Sequence, residues 1–224
     1  MRRCIVHFGL HKTGTTSIQE ALFTADLGPS VTYLHFGTPF VDRQLMAAFC
    51  RPAWRLAADL REYSEADSAS AKSALQRLVE ATSEGSLIIS AECVSLFEEE
   101  ELADFFDFLG GKHFRLEAVA YVRDYRSWCE SFFQQSAKYG NWGPSLFPLG
   151  SHAYRFTIEK FDKLLGRDNV SLWKYDRSLF PQGCVVKDFF ERLQIGGPSA
   201  NTAEANSGLC IEAIKFLGSS RYLL

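Results

Sequence analysis

The stretch Cys4-Ile5-Val6-His7-Phe8-Gly9-Leu10-His11-Lys12-Thr13-Gly14-Thr15-Thr16-Ser17 decides how the rest of this chain is read. Cys4 to Phe8 is a short β-branched and aromatic run, closed by Gly9. A Thr/Gly/Ser cluster follows, and Ile18, Ala21 and Leu22 then recur at helical spacing. The order is strand, tight loop, helix. In an open α/β sheet such a loop lies beyond the carboxyl end of its strand, and the helix that follows offers unpaired N–H groups and a positive dipole end to an anion.

The same alternation continues along the chain. Val31 to Phe36, after Gly28-Pro29-Ser30, reads as a second strand, and the fully apolar Leu87-Ile88-Ile89 after Gly85 reads as a buried parallel one. Leu116 to Val122 and Val170 to Trp173 supply two more. Between them lie helical patterns at about Val41 to Tyr63, interrupted near Pro52, at Ala69 to Ala81, and at Leu102, Phe105, Phe106 and Leu109. Others cover Tyr125 to Ala137, Tyr154 to Leu165 and Val185 to Leu193. Five short strands alternating with helices predict an α/β fold with a doubly wound, mainly parallel five-stranded sheet and helices on both faces. No internal repeat or long linker divides the chain, so residues 1–224 are expected to form a single domain. A last helical pattern opens at Leu209 and is cut by the end of the sequence, compatible with a natural chain that runs past Leu224.

Composition narrows the function. With 46% hydrophobic and 23% charged residues in 224, the chain is an ordinary globular protein. No apolar run reaches the roughly 18 residues that span a bilayer, and the N-terminus enters a strand with no signal-peptide core, so a cytoplasmic protein without a membrane span is expected. The six cysteines are scattered with no C-x-x-C pair, which predicts free thiols and no metal site. A net charge of -3 argues against a nucleic-acid partner. An anionic ligand must therefore rely on a few placed cations.

Lys12 is the first of these. The common nucleoside triphosphate loop, G-x-x-x-x-G-K followed by Ser or Thr, has its lysine directly after the second glycine, whereas here Gly14 is followed by Thr15. Lys12-Thr13-Gly14-Thr15-Thr16 instead resembles the 5′-phosphosulfate loop of sulfotransferases that use 3′-phosphoadenosine 5′-phosphosulfate (PAPS), and His11-Lys12-Thr13-Gly14-Thr15-Thr16-Ser17 looks like its bacterial form, with His11 at the usual proline. That family holds the cofactor's 3′-phosphate with an arginine at a later strand end and a serine eight residues on. Arg123, after Ala118 to Val122, and Ser131 match that pattern. The resemblance implies the sulfotransferase variant of the P-loop fold, cofactor contacts from His11 to Ser17 and from Arg123 and Ser131, and a donor whose spent form is 3′-phosphoadenosine 5′-phosphate (PAP).

The implied reaction moves a sulfuryl group to a hydroxyl or amine of a small-molecule or carbohydrate acceptor, with Lys12 at the bridging oxygen and no metal required. By analogy with phosphoryl transfer, the protein supplies position and cations. A general base must take the acceptor's proton. Glu92, just after the Leu87 to Ser90 strand, is the first candidate, and His35, at the end of the second strand, is the other. His7, inside the first strand, reads as structural. Ser17 replaces a tryptophan that many members place near the adenine, and a late Arg-Lys-Gly is missing, so the adenine contacts are not assigned. Asn206-Ser207 fits either a late helix-entry segment of bacterial members or a plain N-cap.

Residues 139–154 carry no formal charge and are rich in Gly, Pro and aromatics, which suggests a long ordered loop near a site, with Tyr139 and Trp142 as an acceptor wall. Phe132 or Phe133 is assigned to the core, and Glu98 to Glu101 to a solvated first helical turn. Two other readings stay open: a small-molecule or nucleotide kinase using Glu92 to hold a metal, and a nucleotide-binding protein without turnover.

Overall fold

The computed structural model describes residues 2–51, 65–82, 85–111, 114–138 and 152–197. Its five strands are β1 (Arg2–His7), β2 (Val31–Tyr33), β3 (Ser86–Ser90), β4 (Phe114–Arg123) and β5 (Val170–Tyr175). Seven described α-helices connect them: α1 (Thr15–Thr24), α2 (Asp42–Phe49), α3 (Glu65–Ala81), α4 (Glu99–Gly110), α5 (Tyr125–Lys138), α6 (His152–Leu165) and α7 (Val185–Leu193). A 3₁₀ turn, Glu92–Leu96, leads from β3 towards α4.

All strand pairs are parallel, in the order β2-β3-β1-β4-β5. The chain leaves β1 towards one edge and returns through β3, then crosses past β1 to β4. β1 is thus central, with Cys4 aligned to Leu87 on one side and Leu116 on the other. Ligands of open α/β sheets settle where the winding reverses, which puts the end of β1 at the expected place.

Side chains alternate across the sheet and build two cores. Cys4, Val6, Phe8, Leu87, Ile89, Ala118 and Ala120 pack with α2, α3, α4 and α6 through Leu45, Leu75, Phe105 and Phe161. Ile5, Ile88, Val119 and Tyr121 face α1 and α7 through Ile18, Leu22, Val186 and Phe189. Each fully buried Val, Leu, Ile or Phe among them contributes roughly 1.5–3 kcal/mol. The doubly wound parallel sheet with helices on both faces is therefore present as predicted from the strand pattern.

Three local expectations change. The second strand ends at Tyr33, although the Leu34 N–H still donates to Ile88 O at 2.9 Å, because the chain turns away and the Tyr33 hydroxyl closes on Pro39 O at 2.5 Å. Glu101 is buried, not solvated: it accepts from the N–H groups of Glu98 and Arg51, both at 2.8 Å, in a capping box that fixes the start of α4. Phe132 and Phe133 are only half-buried, and Phe132 stacks on Trp128 at 5.1 Å, with Trp128 in turn on Tyr125 at 6.1 Å. Tyr139, Trp142, the predicted helix beyond Pro52 as far as Tyr63, Asn206-Ser207 and the helix after Leu209 lie outside the described residues.

α7 is fastened to the sheet by one buried polar chain. The Tyr121 hydroxyl donates to Asp188 Oδ2 at 2.5 Å, and Arg192 Nε donates to the same oxygen at 2.6 Å from one turn further along α7. A buried phenol needs such a partner. Tyr121→Phe and Asp188→Ala should each lower the unfolding free energy by about 1–3 kcal/mol in urea denaturation. The double variant should lose less than the sum of the two, since either change already breaks the shared bond.

Candidate functional site

The backbone of β1 stays in the sheet beyond its last strand residue. Phe8 N–H donates to Val119 O at 3.1 Å, Tyr121 N–H to Gly9 O at 2.9 Å and Leu10 N–H to Tyr121 O at 3.2 Å, while on the other side Ala91 N–H reaches His7 O at 2.9 Å. The chain then turns through left-handed φ values at Lys12 (67°) and Gly14 (81°). Thr13 is fully buried, its hydroxyl donating to Leu10 O. At Gly14 a side chain has no room, since an added Cβ would lie 2.8 Å from Val185 Cγ1 of α7.

α1 starts at Thr15 without a side-chain cap and without an acidic residue in its first turn. Its first backbone bond runs from Ile18 N–H to Gly14 O, so the amides of Thr15, Thr16 and Ser17 have no helical acceptor. The positive end of the helix dipole is not offset by the helix's own side chains. Thr15 is buried, and its hydroxyl makes no close hydrogen bond among the described residues, though it lies near enough to Glu92 to help hold that carboxyl's pKa down. This end of α1 therefore has the donors that an oxyanion needs.

Arg123, the last residue of β4, reaches back to this loop. Its Nη1 donates to Lys12 O at 2.9 Å, its Nε donates to Ser127 Oγ at 2.8 Å, and the guanidinium lies 5.2 Å from the Tyr175 ring centre. Lys12 and Arg123, two cations that lie 111 residues apart, are thus brought to one edge of the sheet. Ser131, half-buried one turn beyond Ser127 on α5, is not the serine that holds the guanidinium here.

Across the loop stands a carboxylate group. Glu92 Oε2 lies 2.7 Å from His11 Nδ1. Burial pushes the Glu92 carboxyl up, but the His11 hydrogen bond and charge outweigh it, and its pKa lies below the ordinary value. The same bond pushes the His11 imidazole above its ordinary 6.5 against the opposing effect of burial. Asp42, at the start of α2, accepts from Cys93 N–H at 2.8 Å and faces the Gln19 amide at 3.5 Å, and Gln19 also donates to Ser90 O at 2.9 Å. Burial, the largest cause, pushes the Asp42 carboxyl up, and the nearby Glu92 charge adds to it.

The structure thus gathers His11, Lys12, Thr13, Gly14, Thr15, Thr16, Ser17, Glu92 and Arg123 around the end of β1. It does not bring His35 there. That ring is exposed and packs edge-on against Phe23, 5.1 Å between centres, in the last turn of α1, the end away from the loop. Sequence reading missed Ser127, Tyr175, Asp42 and Gln19. Tyr175 could have been found, since it ends β5 on the same edge as Arg123, with which it is in register. Asp42 carries no motif and becomes visible only through the fold.

No family model matches the chain. An uncharacterized protein of Archaeoglobus fulgidus is 30% identical over 137 residues, 55% of this chain and 34% of that protein, so the chain spans about a third of the length of this relative. Among solved structures, a sulfotransferase from Alicyclobacillus acidocaldarius superposes with a TM-score of 0.56 at 12% identity, covering 100% of this chain and 92% of that one. The Deinococcus radiodurans tunicamycin resistance protein gives a TM-score of 0.48 at 10% identity over 88% of this chain and 100% of its own. The first likeness establishes a sulfotransferase-like α/β fold. Among the described residues, no cluster of three or more His, Cys, Asp or Glu side chains is placed to hold a metal ion, and no helix is long and apolar enough to cross a membrane.

Beneath the loop, His7 is fully buried, with Nδ1 2.7 Å from Ser90 Oγ and its ring 5.0 Å from that of Phe189. It is a structural residue of β1, as its place inside the strand suggested. Burial pushes its pKa down from 6.5 to about 4. Between those pH values the unfolded chain binds a proton that the folded one excludes, so stability falls as pH drops through this window, by about 3 kcal/mol at its lower end. Denaturant titrations at pH 7 and pH 5 should show this acid loss in the wild type, and a folded His7→Gln variant should show less of it.

Proposed function

We propose that the protein is a PAPS-dependent sulfotransferase, which moves a sulfuryl group to a hydroxyl or amine of a small-molecule or carbohydrate acceptor and releases PAP. The observation that carries this reading is the helix end at Thr15: three amides without helical acceptors and no acidic residue in the first turn, flanked by Lys12 and by Arg123 on the Lys12 carbonyl. Such a surface fits a phosphosulfate. The amides of Thr15 to Ser17 and the Thr15 hydroxyl would take oxygens of the 5′-phosphate, with Thr13 and Gly14 fixing the turn.

PAPS supplies an activated sulfuryl group whose transfer leaves negative charge on the bridging oxygen. Lys12 would neutralise that charge from the loop, and the amides would position the group for in-line attack. Arg123 is assigned to the 3′-phosphate, with Ser131 further along α5 as a neutral donor. The acceptor's proton is taken up at the His11–Glu92 pair. His35 receives no role, because it stands by the far end of α1. The scheme asks for no metal. A kinase would need a metal-holding carboxylate at this edge, whereas Glu92 is committed to His11 at 2.7 Å.

Calorimetric titration decides between these readings. PAP should bind with a micromolar or tighter Kd and much more strongly than ATP with magnesium; a preference for ATP, or no binding of either, would replace the sulfotransferase reading. Arg123→Ala should weaken PAP by about 10- to 100-fold, as expected for a lost charged hydrogen bond, and weaken adenosine 5′-phosphosulfate far less, since that compound lacks the 3′-phosphate. Equal losses would mean that Arg123 serves only the Lys12 carbonyl. Lys12→Ala should lower PAPS turnover more than PAP affinity, and unchanged turnover would remove Lys12 from the mechanism.

A further inference from the structure

The His11–Glu92 pair holds two groups that could each receive a proton, and the geometry separates their tasks. Glu92 presents Oε2 to His11 Nδ1 at 2.7 Å, with the carboxylate side chain 28% exposed and the imidazole 44%. The imidazole is thus the outer member. An ionised carboxylate can only accept, so neutral His11 must carry its proton on Nδ1, and the lone pair is then on Nε2, which makes no hydrogen bond among the described residues. A carboxylate that fixes an imidazole in this way makes Nε2 the working nitrogen.

Position along the chain agrees. His11 directly precedes Lys12, whose ammonium is assigned to the bridging oxygen, so base and cation border one reacting centre. Gly9 brings the loop close to Glu92: a Cβ there would lie 3.7 Å from Glu92 Cγ. The charged groups facing His11 are Glu92 from the 3₁₀ turn, Asp42 from α2 and Lys12 from the loop itself; the two carboxylates favour the imidazolium, and Lys12 opposes it.

Building on the sulfotransferase reading, we infer that His11 takes the acceptor's proton through Nε2 and that Glu92 is a positioning residue which fixes the tautomer and steadies the imidazolium. The acceptor O–H or N–H bond breaks with its proton passing to Nε2, and the acceptor atom bonds to sulfur. The bond from sulfur to the bridging oxygen breaks, leaving its electron pair on the 5′-phosphate beside Lys12. The proton later leaves the imidazolium for water.

The assignment has a pH signature. Only neutral His11 can accept, so turnover rises with pH through the His11 pKa, which Glu92 holds above 6.5. Glu92→Gln removes the main cause of that elevation and moves the acid limb to lower pH. Were Glu92 the base, its depressed pKa would leave turnover flat across neutrality, and Glu92→Gln would abolish it.

The test combines imidazole nitrogen NMR with PAPS hydrolysis, water and 2-naphthol serving as acceptors, on protein shown by calorimetry to bind PAP. Neutral His11 should be the Nδ1–H tautomer, with its titration shifted downward in Glu92→Gln. His11→Gln should cut turnover by about 10²- to 10⁴-fold with PAP affinity retained, and Glu92→Gln should cut it less while shifting the acid limb. The inference is overturned by an Nε2–H tautomer, by a titration at or below 6.5, by Glu92→Gln being the more damaging change, or by a wild type that binds PAP but leaves PAPS intact. A wild type that does not bind PAP overturns the sulfotransferase reading and this role with it, whereas PAP binding with undiminished turnover in His11→Gln overturns this role alone.

Discussion

β4 continues to pair with the chain of β1 after β1 has ended, and the whole carboxyl edge depends on that ladder. Val119 and Tyr121 satisfy the N–H of Phe8, the carbonyl of Gly9 and the N–H of Leu10. Buried backbone groups must find partners, so a loop leaving the centre of a parallel sheet would otherwise expose its donors to an apolar interior. Here the ladder carries the chain three residues past the strand before it turns. Arg123, two residues further along β4 than Tyr121, then takes the Lys12 carbonyl. The loop is therefore positioned by the sheet from both of its ends, and α1 starts at a place that the strand pairing has already fixed.

Two carboxylates stand at the edge where α1 begins, and each has its own hydrogen-bond partners. Glu92 Oε2 lies within hydrogen-bond distance of His11 Nδ1, at 2.7 Å. Asp42 is turned to Cys93 N–H and Gln19, and Cys93 Sγ lies 3.5 Å from the Asp42 carbonyl. The positive end of α1, Lys12 and Arg123 lie at the same edge. The low dielectric around these groups strengthens the His11–Glu92 attraction and makes an unpaired carboxylate there costly. The pair stands beside the start of α1, with the imidazole the more exposed of the two side chains.

How much of this was legible follows from the range of each interaction. The five strands could be read because buried parallel strands are continuous apolar runs, as in Leu87-Ile88-Ile89, and the loop because its residues are contiguous. Arg123 could be placed at the edge, since it ends a strand. Its partner could not be foreseen: Ser131 fits the spacing of a family pattern, but Ser127, one turn nearer, lies within reach of Nε. The His11–Glu92 bond joins residues that only the strand order β3-β1 makes neighbours. Glu101 was misread for a similar reason, because a charge run looks solvated until Arg51 N–H arrives from a distant segment to occupy one carboxylate.

Lys12 and Gly14 both adopt left-handed backbone, and the reasons differ. At Gly14 the neighbouring Val185 leaves no space for a Cβ, so glycine is required by contact as well as by φ. At Lys12 a glycine would relax the backbone, and keeping a lysine there costs on the order of 1 kcal/mol. The charged hydrogen bond from Arg123 to the Lys12 carbonyl, worth roughly 1.5–3 kcal/mol, can offset that strain. The loop accepts a local cost to keep an ammonium at this point of the turn, and the interaction that compensates for it comes from the cation on the neighbouring strand. Neither term needs a ligand. The turn is thus held by contacts within the protein itself.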